Sequence, residues 1–233
     1  MNPIIGNTAT NRKDKTMAGT GFRLANDTPT QKMYIPNTTV VEHGEVVVFT
    51  PGTGIAAGAP TDLDNPSVGC ANEAHASGDG TEIVIASAPN AKFSHINRNA
   101  ITASGGSTTT FVDSSILPAT DDVFNGGYLE IVACAADSSL NGKMIEITNF
   151  TGTGGTFTFA EQSGAFASGD TAYLHPGKLA VGEYGWDLDS DGMNIDYETS
   201  AGEGLVIVDA HPELKTVIVQ FRLHQFGNGP AAL

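Results

Sequence analysis

Short runs of alternating hydrophobic and polar residues, separated by breaks rich in Gly, Asn, Asp and Ser, make up most of the chain. Four such runs follow one another within residues 127–174, and each is rich in β-branched and aromatic residues. None has the length or the 3.6-residue period of a helix with an apolar stripe, whereas runs of this kind bounded by turn residues are typical of strands. The pattern predicts an all-β protein made of antiparallel β-sandwich or barrel-like modules.

Further strand-like runs lie on both sides of this central stretch. Residues 39–49, 67–71 and 81–86 precede it, and the last of these alternates with the period of a half-buried strand. Residues 204–209 form a continuous apolar run that suits a strand buried on both faces. Residues 214–226 alternate over a longer stretch, so we expect this strand to be structurally central.

These runs predict a division of the chain into an arm and three β regions. Residues 1–31 have no hydrophobic period, which is typical of an extended arm without a core of its own. The predicted regions are the arm at 1–31, a first β module at 32–106, a central β module at 107–176 and C-terminal strands at 177–233. Residues 94–110 are interpreted as a polar connector, and residues 113–125 as the site of a short turn of helix. The tail after Gly227 is expected to be loose.

The motif nearest to a known ligand site is Asp-Leu-Asp-Ser-Asp-Gly at 187–192, followed by Glu198. Its spacing matches a calcium loop that takes oxygens from Asp187, Asp189, Asp191 and Glu198. Two features depart from that pattern, because Asn194 occupies the apolar position and the residues after Glu198 do not suit a helix.

The same residues also fit a β-hairpin, because apolar residues alternate into the acidic turn and out of it. These residues are Tyr184, Trp186, Leu188, Met193, Ile195 and Tyr197. An extended strand would carry Glu198 ~20 Å from the turn, whereas Ca²⁺ needs each oxygen within ~2.6 Å. We therefore favour the hairpin and no metal, and keep a cation held at the tip by Asp187, Asp189 and Asp191 as the alternative.

Charge is unevenly distributed along the chain, whose net charge is −15. The first 32 residues hold five basic and two acidic residues, a net +3, and the remaining six basic and 24 acidic residues give −18. The basic residues of this first part are Arg12, Lys13, Lys15, Arg23 and Lys32. An acidic body argues against nucleic acid and membrane surfaces as partners. The basic arm is either a contact for an acidic neighbour or a solvated tail.

No residue pattern specifies a catalytic or cofactor site. The six histidines show no metal-ligand spacing, and the glycine-rich segments lack the lysine of a phosphate loop. The pair Asp121 and Asp122 would suit a glycosidase, although an acidic protein offers such pairs by chance. The two cysteines, Cys70 and Cys134, are expected to be buried free thiols. We predict no enzyme activity and no cofactor.

Two groups of motifs resemble structural proteins of tailed bacteriophages. The first resembles small head-decoration, or cement, proteins, and the second resembles a β module common in phage virion proteins. The first group is Gly-Glu-Val-Val-Val-Phe-Thr at 44–50, Ser-Val-Gly-Cys-Ala at 67–71, Glu-Ile-Val-Ile-Ala at 82–86 and Ala-Lys-Phe at 91–93. The second is Asp-Asp-Val-Phe-Asn-Gly-Gly at 121–127, Asn-Gly-Lys-Met-Ile-Glu-Ile at 141–147 and Gly-Asp-Thr at 169–171.

This resemblance implies a non-enzymatic virion protein on the outer surface of a capsid. It implies the major capsid protein as partner and self-association, with a trimer favoured. The arm, with Arg12, Lys13, Lys15, Arg23 and Lys32, is then expected to lie along a neighbouring capsid subunit. Two alternatives stay open: a head-fibre, tail or carbohydrate-binding receptor component, and a β-fold polysaccharide hydrolase or lyase. A low aromatic content of 7% argues mildly against a carbohydrate-binding surface.

Overall fold

A computed structural model describes most of the chain from Gly21 to Phe221. The described residues are 21–25, 30–34, 40–50, 54–57, 67–71, 74, 82–86, 91–116, 120–182, 185–188, 193–197 and 205–221. Within these residues the chain forms strands and short 3₁₀ turns and contains no α-helix. Every ladder between these strands is antiparallel. The prediction of an all-β, antiparallel protein is therefore confirmed.

Most of the strands are short, between two and seven residues long. In chain order they are β1 (Arg23–Leu24), β2 (Thr30–Tyr34), β3 (Val46–Thr50), β4 (Gly54–Ala57), β5 (Ser67–Ala71), β6 (Glu82–Ala86), β7 (Phe93–His95), β8 (Ala100–Thr102), β9 (Gly105–Gly106), β10 (Thr110–Val112), β11 (Tyr128–Ala133), β12 (Met144–Glu146), β13 (Asn149–Thr151), β14 (Thr156–Thr158), β15 (Thr171–His175), β16 (Gly185–Leu188), β17 (Ile195–Asp196), β18 (Leu205–His211) and β19 (Thr216–Phe221). The 3₁₀ turns are Ser138–Leu140, Lys178–Ala180 and Pro212–Leu214.

The described strands form four sheets. Sheet I has the order β1-β7-β19-β18-β16-β17, and sheet II has the order β12-β11-β15-β8. Sheet III has the order β13-β14-β10-β9, and sheet IV has the order β2-β6-β5-β3-β4. Buried residues from all four sheets belong to one hydrophobic core.

The strands predicted within residues 127–174 are all present, but they serve two different sheets. β11, β12 and β15 belong to sheet II, whereas β13 and β14 belong to sheet III. Alternation within β11 buries Leu129 and Ile131, and alternation within β15 buries Ala172 and Leu174. The Asp170 carboxylate accepts the Ala167 N–H at 2.9 Å, as expected for a Ser-Gly-Asp turn.

The interpretation of residues 94–110 as a polar connector was wrong. This segment holds β8 and β9, most of β7 and the start of β10, and it thereby contributes to sheets I, II and III. Its strands are only two or three residues long and contain Gly, Ser and Thr, so they carry little hydrophobic pattern of their own. Their partners are distant in sequence: Ile101 lies opposite Ala172, and Phe111 lies opposite Phe157.

The predicted turn of helix is also absent from the described residues of this range, 113–116 and 120–125. Residues 121–126 form hydrogen-bonded turns instead. Asp122 adopts a left-handed conformation with φ 67°, which a helix does not tolerate. Its carbonyl oxygen accepts the Asn125 N–H at 2.9 Å, and this closes a tight reversal before β11.

The hairpin predicted around the acidic motif is confirmed. β16 pairs antiparallel with β17, so that Leu188 lies opposite Ile195 and Asp187 lies opposite Asp196. Trp186, Leu188, Met193, Ile195 and Tyr197 are all buried, as the alternation predicted. The residues on both flanks of the motif are thus extended, where a helix-loop-helix calcium site has helices.

The predicted central position of the last strand is confirmed as well. β19 lies inside sheet I, between β7 and β18, and it buries Val217, Val219 and Phe221. The tail beyond residue 221 lies outside the described residues.

The end of the predicted arm is part of two sheets. β1 pairs with β7 at the edge of sheet I, and β2 pairs with β6 at the edge of sheet IV. Phe22 is buried, and its ring stacks on His95 with centroids 4.4 Å apart. Residues 1–20 lie outside the described residues.

The glycine that opens β11 is needed for a close approach of two backbones. A Cβ on Gly127 would lie 2.6 Å from the His175 carbonyl oxygen and 2.9 Å from the Gly177 nitrogen. A Cβ on Gly177 would be equally close to Gly126 and Gly127, at 2.7 Å. A side chain at Gly127 or at Gly177 would therefore push the start of β11 away from the end of β15. The turn chemistry that the sequence suggested for this Gly-Gly pair applies to Gly126, with φ 73°, and not to Gly127.

Phe124 occupies the centre of an aromatic cluster that joins distant parts of the chain. Its ring lies 4.8 Å from Phe150 and 5.8 Å from Phe157 in sheet III. It also lies 5.7 Å from Trp186 and 5.9 Å from Tyr197, which flank the β16–β17 hairpin. Because Phe124 is fully buried, these contacts connect sheet III to sheet I through a single side chain.

We expect Phe124→Ala to lower the free energy of unfolding by about 3–5 kcal/mol, because it leaves a large cavity where four aromatic neighbours meet. Urea denaturation monitored by the fluorescence of Trp186 measures this change. As a control, Leu214→Ala, at a side chain that is 66% exposed, should stay within about 0.5 kcal/mol of the wild type. Equal losses for the two variants would show that Phe124 does not hold the sheets together.

Candidate functional site

A cluster of charged and polar side chains is centred on Glu130. Glu130 lies in β11 between the buried residues Leu129 and Ile131, so alternation places its carboxylate on the opposite face of sheet II. Tyr173 lies directly opposite Glu130 in β15, and His175 is its diagonal neighbour. Diagonal neighbours in a sheet are within reach of long side chains.

Three donors converge on the Glu130 carboxylate. Lys215 Nζ lies 2.7 Å from Oε1, while His175 Nε2 and Arg98 Nη1 lie 3.1 Å and 3.4 Å from Oε2. The Arg98 guanidinium also stacks on the Tyr173 ring, 5.3 Å from its centroid. We call these five residues the Glu130 cluster: Arg98, Glu130, Tyr173, His175 and Lys215.

His175 lies in β15 of sheet II itself, whereas Lys215 and Arg98 come from connections outside that sheet. Lys215 follows the 3₁₀ turn between β18 and β19, and its left-handed conformation, φ 58°, reverses the chain there. Arg98 lies between β7 and β8, and its backbone N–H donates to Asn194 Oδ1 at 3.0 Å, next to β17. The cluster therefore ties sheet II to three separate segments of sheet I.

The charge state of the cluster follows from burial and hydrogen bonding. His175 is 2% exposed, and burial lowers the pKa of its imidazole despite the hydrogen bond to Glu130. Partial burial raises the pKa of Glu130, but hydrogen bonds from Lys215 and His175 outweigh it and hold that pKa below its ordinary value. At neutral pH, His175 is thus an uncharged donor, and Lys215 is the principal ion-pair partner of Glu130.

This arrangement suits a structural role, in which the Glu130 cluster holds sheet II to sheet I, better than it suits proton transfer. Both oxygens of Glu130 accept hydrogen bonds, and the lowered pKa keeps the carboxylate ionised. A general acid needs a raised pKa, and a general base needs a free lone pair directed at its substrate. The two cations remain partly accessible, with exposed side-chain fractions of 38% for Arg98 and 33% for Lys215.

Sequence reasoning did not find this cluster. The available signal was weak: Glu130 interrupts an apolar strand, and Lys215 lies near the start of the strand predicted over residues 214–226. A charged residue within an alternating strand is ordinarily solvent-facing, so nothing local indicated a partner 85 residues away. Only the pairing of β11 with β15 and the position of the β18–β19 turn bring the five residues together.

The residues predicted to contact a partner through the arm are only partly described. Arg12, Lys13 and Lys15 lie outside the described residues. Arg23 lies in β1, opposite Ser94, and is exposed. Lys32 lies in β2, opposite Val84. The structure therefore places Arg23 and Lys32 at the edges of sheets I and IV.

The calcium alternative is also only partly described. Asp187 lies in β16, whereas Asp189, Asp191 and Glu198 lie outside the described residues. Among the residues that are described, no three His, Cys, Asp or Glu side chains are arranged to hold a metal ion.

The pair Asp121 and Asp122 serves the turn before β11. Asp121 Oδ1 accepts the Gly152 N–H at 2.8 Å, and Asp122 Oδ1 accepts from Asn125 Nδ2 at 2.8 Å. These hydrogen bonds position the turn that carries Phe124. Cys70 and Cys134 are both free and buried, as predicted, and burial raises the pKa of the Cys70 thiol well above its usual range.

Comparison with known proteins finds no matching family model, curated protein or solved structure. The described part of the chain holds no helix long and apolar enough to span a membrane.

We expect Lys215→Gln to lower the free energy of unfolding by about 1–2 kcal/mol, because it removes the shortest charged hydrogen bond of a largely buried carboxylate. Lys178→Gln is the matched control, since Lys178 pairs with Asp209 at 3.2 Å where both side chains are well exposed. That pair should contribute less than about 0.5 kcal/mol. Chemical denaturation at pH 7.5 measures the free energy of unfolding of both variants. A larger decrease in Lys178→Gln than in Lys215→Gln would contradict the prediction.

The stability of the protein should fall as the pH is lowered from 7.5 to 5. The folded-state pKa of His175 lies below its ordinary value of 6.5, so the unfolded chain binds a proton first and gains stability relative to the folded chain. Glu130 adds a further loss as the pH falls below its ordinary value of 4.5. Thermal unfolding over this range should show a smaller pH dependence for His175→Gln than for the wild type. An unchanged pH dependence in that variant would remove His175 from this role.

Proposed function

We propose that this chain is a non-enzymatic structural protein of a tailed-phage virion that binds the outer surface of the capsid and stabilises it. Its partner is the major capsid protein lattice, and it acts as an oligomer, with a trimer favoured. The motif resemblances and the all-β fold support this proposal. A rigid body with one shared hydrophobic core suits a role in which the protein bears load and carries out no chemistry.

The observation that carries the proposal is the way in which the basic N-terminal segment joins the acidic body. That segment leads directly into β1, which pairs with β7 of sheet I, and Phe22 is buried against His95. The described end of the segment is therefore attached to the core. The net charges of +3 and −18 favour different contact surfaces for the segment and the body.

The mechanism that follows is multivalent clamping. The body docks where capsid subunits meet, and the basic segment lies along a neighbouring subunit. Weak contacts at two connected surfaces give a much tighter joint interaction, because the second contact forms at a high effective concentration. A protein that binds only the assembled lattice stabilises that lattice by mass action.

We expect the purified protein to co-sediment with empty, expanded heads of its phage in hundreds of copies, roughly the number of sites on such a lattice, since a ligand of the lattice occupies every equivalent site. Loaded heads should also resist thermal disruption better than bare heads. Quantitative gel densitometry of pelleted heads measures the copy number. A handful of copies would favour the head-fibre or tail alternative, and no binding would contradict a capsid role.

The triple variant Arg12→Gln, Lys13→Gln and Lys15→Gln tests the role of the basic segment without shortening the chain. It should bind heads more weakly than the wild type, and the difference should shrink at high salt because screening weakens charge contacts. Lys178→Gln removes a positive charge from the body and serves as the control. Equal binding by the triple variant and the wild type would show that the segment is a solvated tail.

A further inference from the structure

We propose that a surface formed by Ile96, Arg98, Tyr173, Leu214 and Lys215 binds an acidic peptide segment of a partner protein. In this arrangement a carboxylate of the segment lies against the two cations, and a neighbouring apolar side chain packs on the two aliphatic residues. We call these residues the Arg98–Leu214 surface. The inference goes beyond the capsid role, since it identifies a binding surface on the body and the chemistry of the segment that fits it.

The five residues are neighbours although they come from three parts of the chain. Arg98 and Lys215 contact the two oxygens of the same Glu130 carboxylate. The register of β7 and β19 pairs His95 with Val217, which carries Ile96 alongside the turn that holds Leu214 and Lys215. Tyr173 lies beneath the Arg98 guanidinium.

This surface exposes more aliphatic area than a solvated turn requires. Leu214 is 66% exposed, the largest fraction among the large hydrophobic side chains of the described residues, and Ile96 is 42% exposed. Single exposed hydrophobic residues need no explanation. These two lie beside an arginine stacked on a tyrosine, and arginine and tyrosine are the residue types enriched at binding hot spots.

The charge of the surface selects an acidic partner. Arg98 and Lys215 share one carboxylate, and His175 is neutral at neutral pH because burial lowers its pKa. Within these ion pairs one positive charge is therefore uncompensated, on a body whose net charge is −18. The exposed Glu213 beside Leu214 lies 3.9 Å from His211 and is not paired with Arg98 or Lys215. The acidic body repels a polyanion such as nucleic acid at long range, whereas a short segment with one or two carboxylates contacts only this surface.

The cations are held in place before any partner binds. Glu130 fixes both head groups, and the Tyr173 ring supports the Arg98 guanidinium. Less side-chain entropy is then lost on binding, which increases affinity without additional contacts. This preorganisation distinguishes Arg98 and Lys215 from Lys178, which is 70% exposed.

The peptide N-acetyl-Leu-Asp-Leu-Asp-amide is a suitable probe, titrated into the full-length, ¹⁵N-labelled protein at low salt. We expect the amide resonances of Arg98, Tyr173, Leu214 and Lys215 to shift together and to give one dissociation constant. The variant Leu214→Asp adds a negative charge at an exposed side chain and should weaken binding roughly tenfold, since it replaces an apolar contact by a like-charge repulsion. Val40→Asp is the matched control, because Val40 is 56% exposed and precedes β3 of sheet IV; it should bind as the wild type does.

Three results would overturn the inference. They are the absence of shifts at these residues, equal shifts with N-acetyl-Leu-Lys-Leu-Lys-amide, and equal affinity in Leu214→Asp and the wild type. Because the assay contains no capsid, its outcome is independent of head binding. Binding to heads without binding to the peptide would support the proposed function and contradict this surface. Binding to the peptide without binding to heads would support this surface and contradict the proposed function.

Discussion

The burial of Phe124 is the constraint on which the arrangement of the sheets depends. Among the described strands, sheet III and the β16–β17 hairpin share no hydrogen-bonded ladder, and aromatic residues of both contact this one ring. Aromatic pairs at such distances add to the stabilisation that burial alone provides. The ring must therefore be presented at a fixed position, and the turn that carries it has to be rigid.

Carboxylates that accept hydrogen bonds from backbone N–H groups supply much of this rigidity. Asp121 holds Gly152, and the buried Asp113 accepts from Thr102 and Ser115. The buried Asp170 accepts from Ala135 and Ala167. A protein of very short strands has many loop N–H groups that no ladder satisfies, and unsatisfied buried donors are costly. Part of the acidic composition is thus explained by local structure, so the number of acidic residues is a poor guide to catalysis in this chain.

The sequence predicted the features that depend on neighbouring residues. It did not predict the features that depend on contacts between residues far apart in the chain. Alternation of Trp186 and Leu188 with Ile195 and Tyr197 was sufficient to predict the β16–β17 hairpin. By contrast, β8 and β9 contain few apolar residues and become strands only because β15 and β10 lie beside them. The Glu130 cluster was missed for the same reason, since its donors are brought in by the topology of sheet I.

The strand pair β7–β19 connects the two surfaces to which we assign binding. The basic N-terminal segment enters the body through β1, which pairs with β7 on one side, while β19 pairs with β7 on the other. Ile96 and Arg98 directly follow β7, and Lys215 directly precedes β19. Both proposed binding surfaces are therefore attached to the same two strands of the core. A protein built in this way can hold two neighbouring subunits together although each separate contact is weak, because the connection between the contacts is itself part of the core.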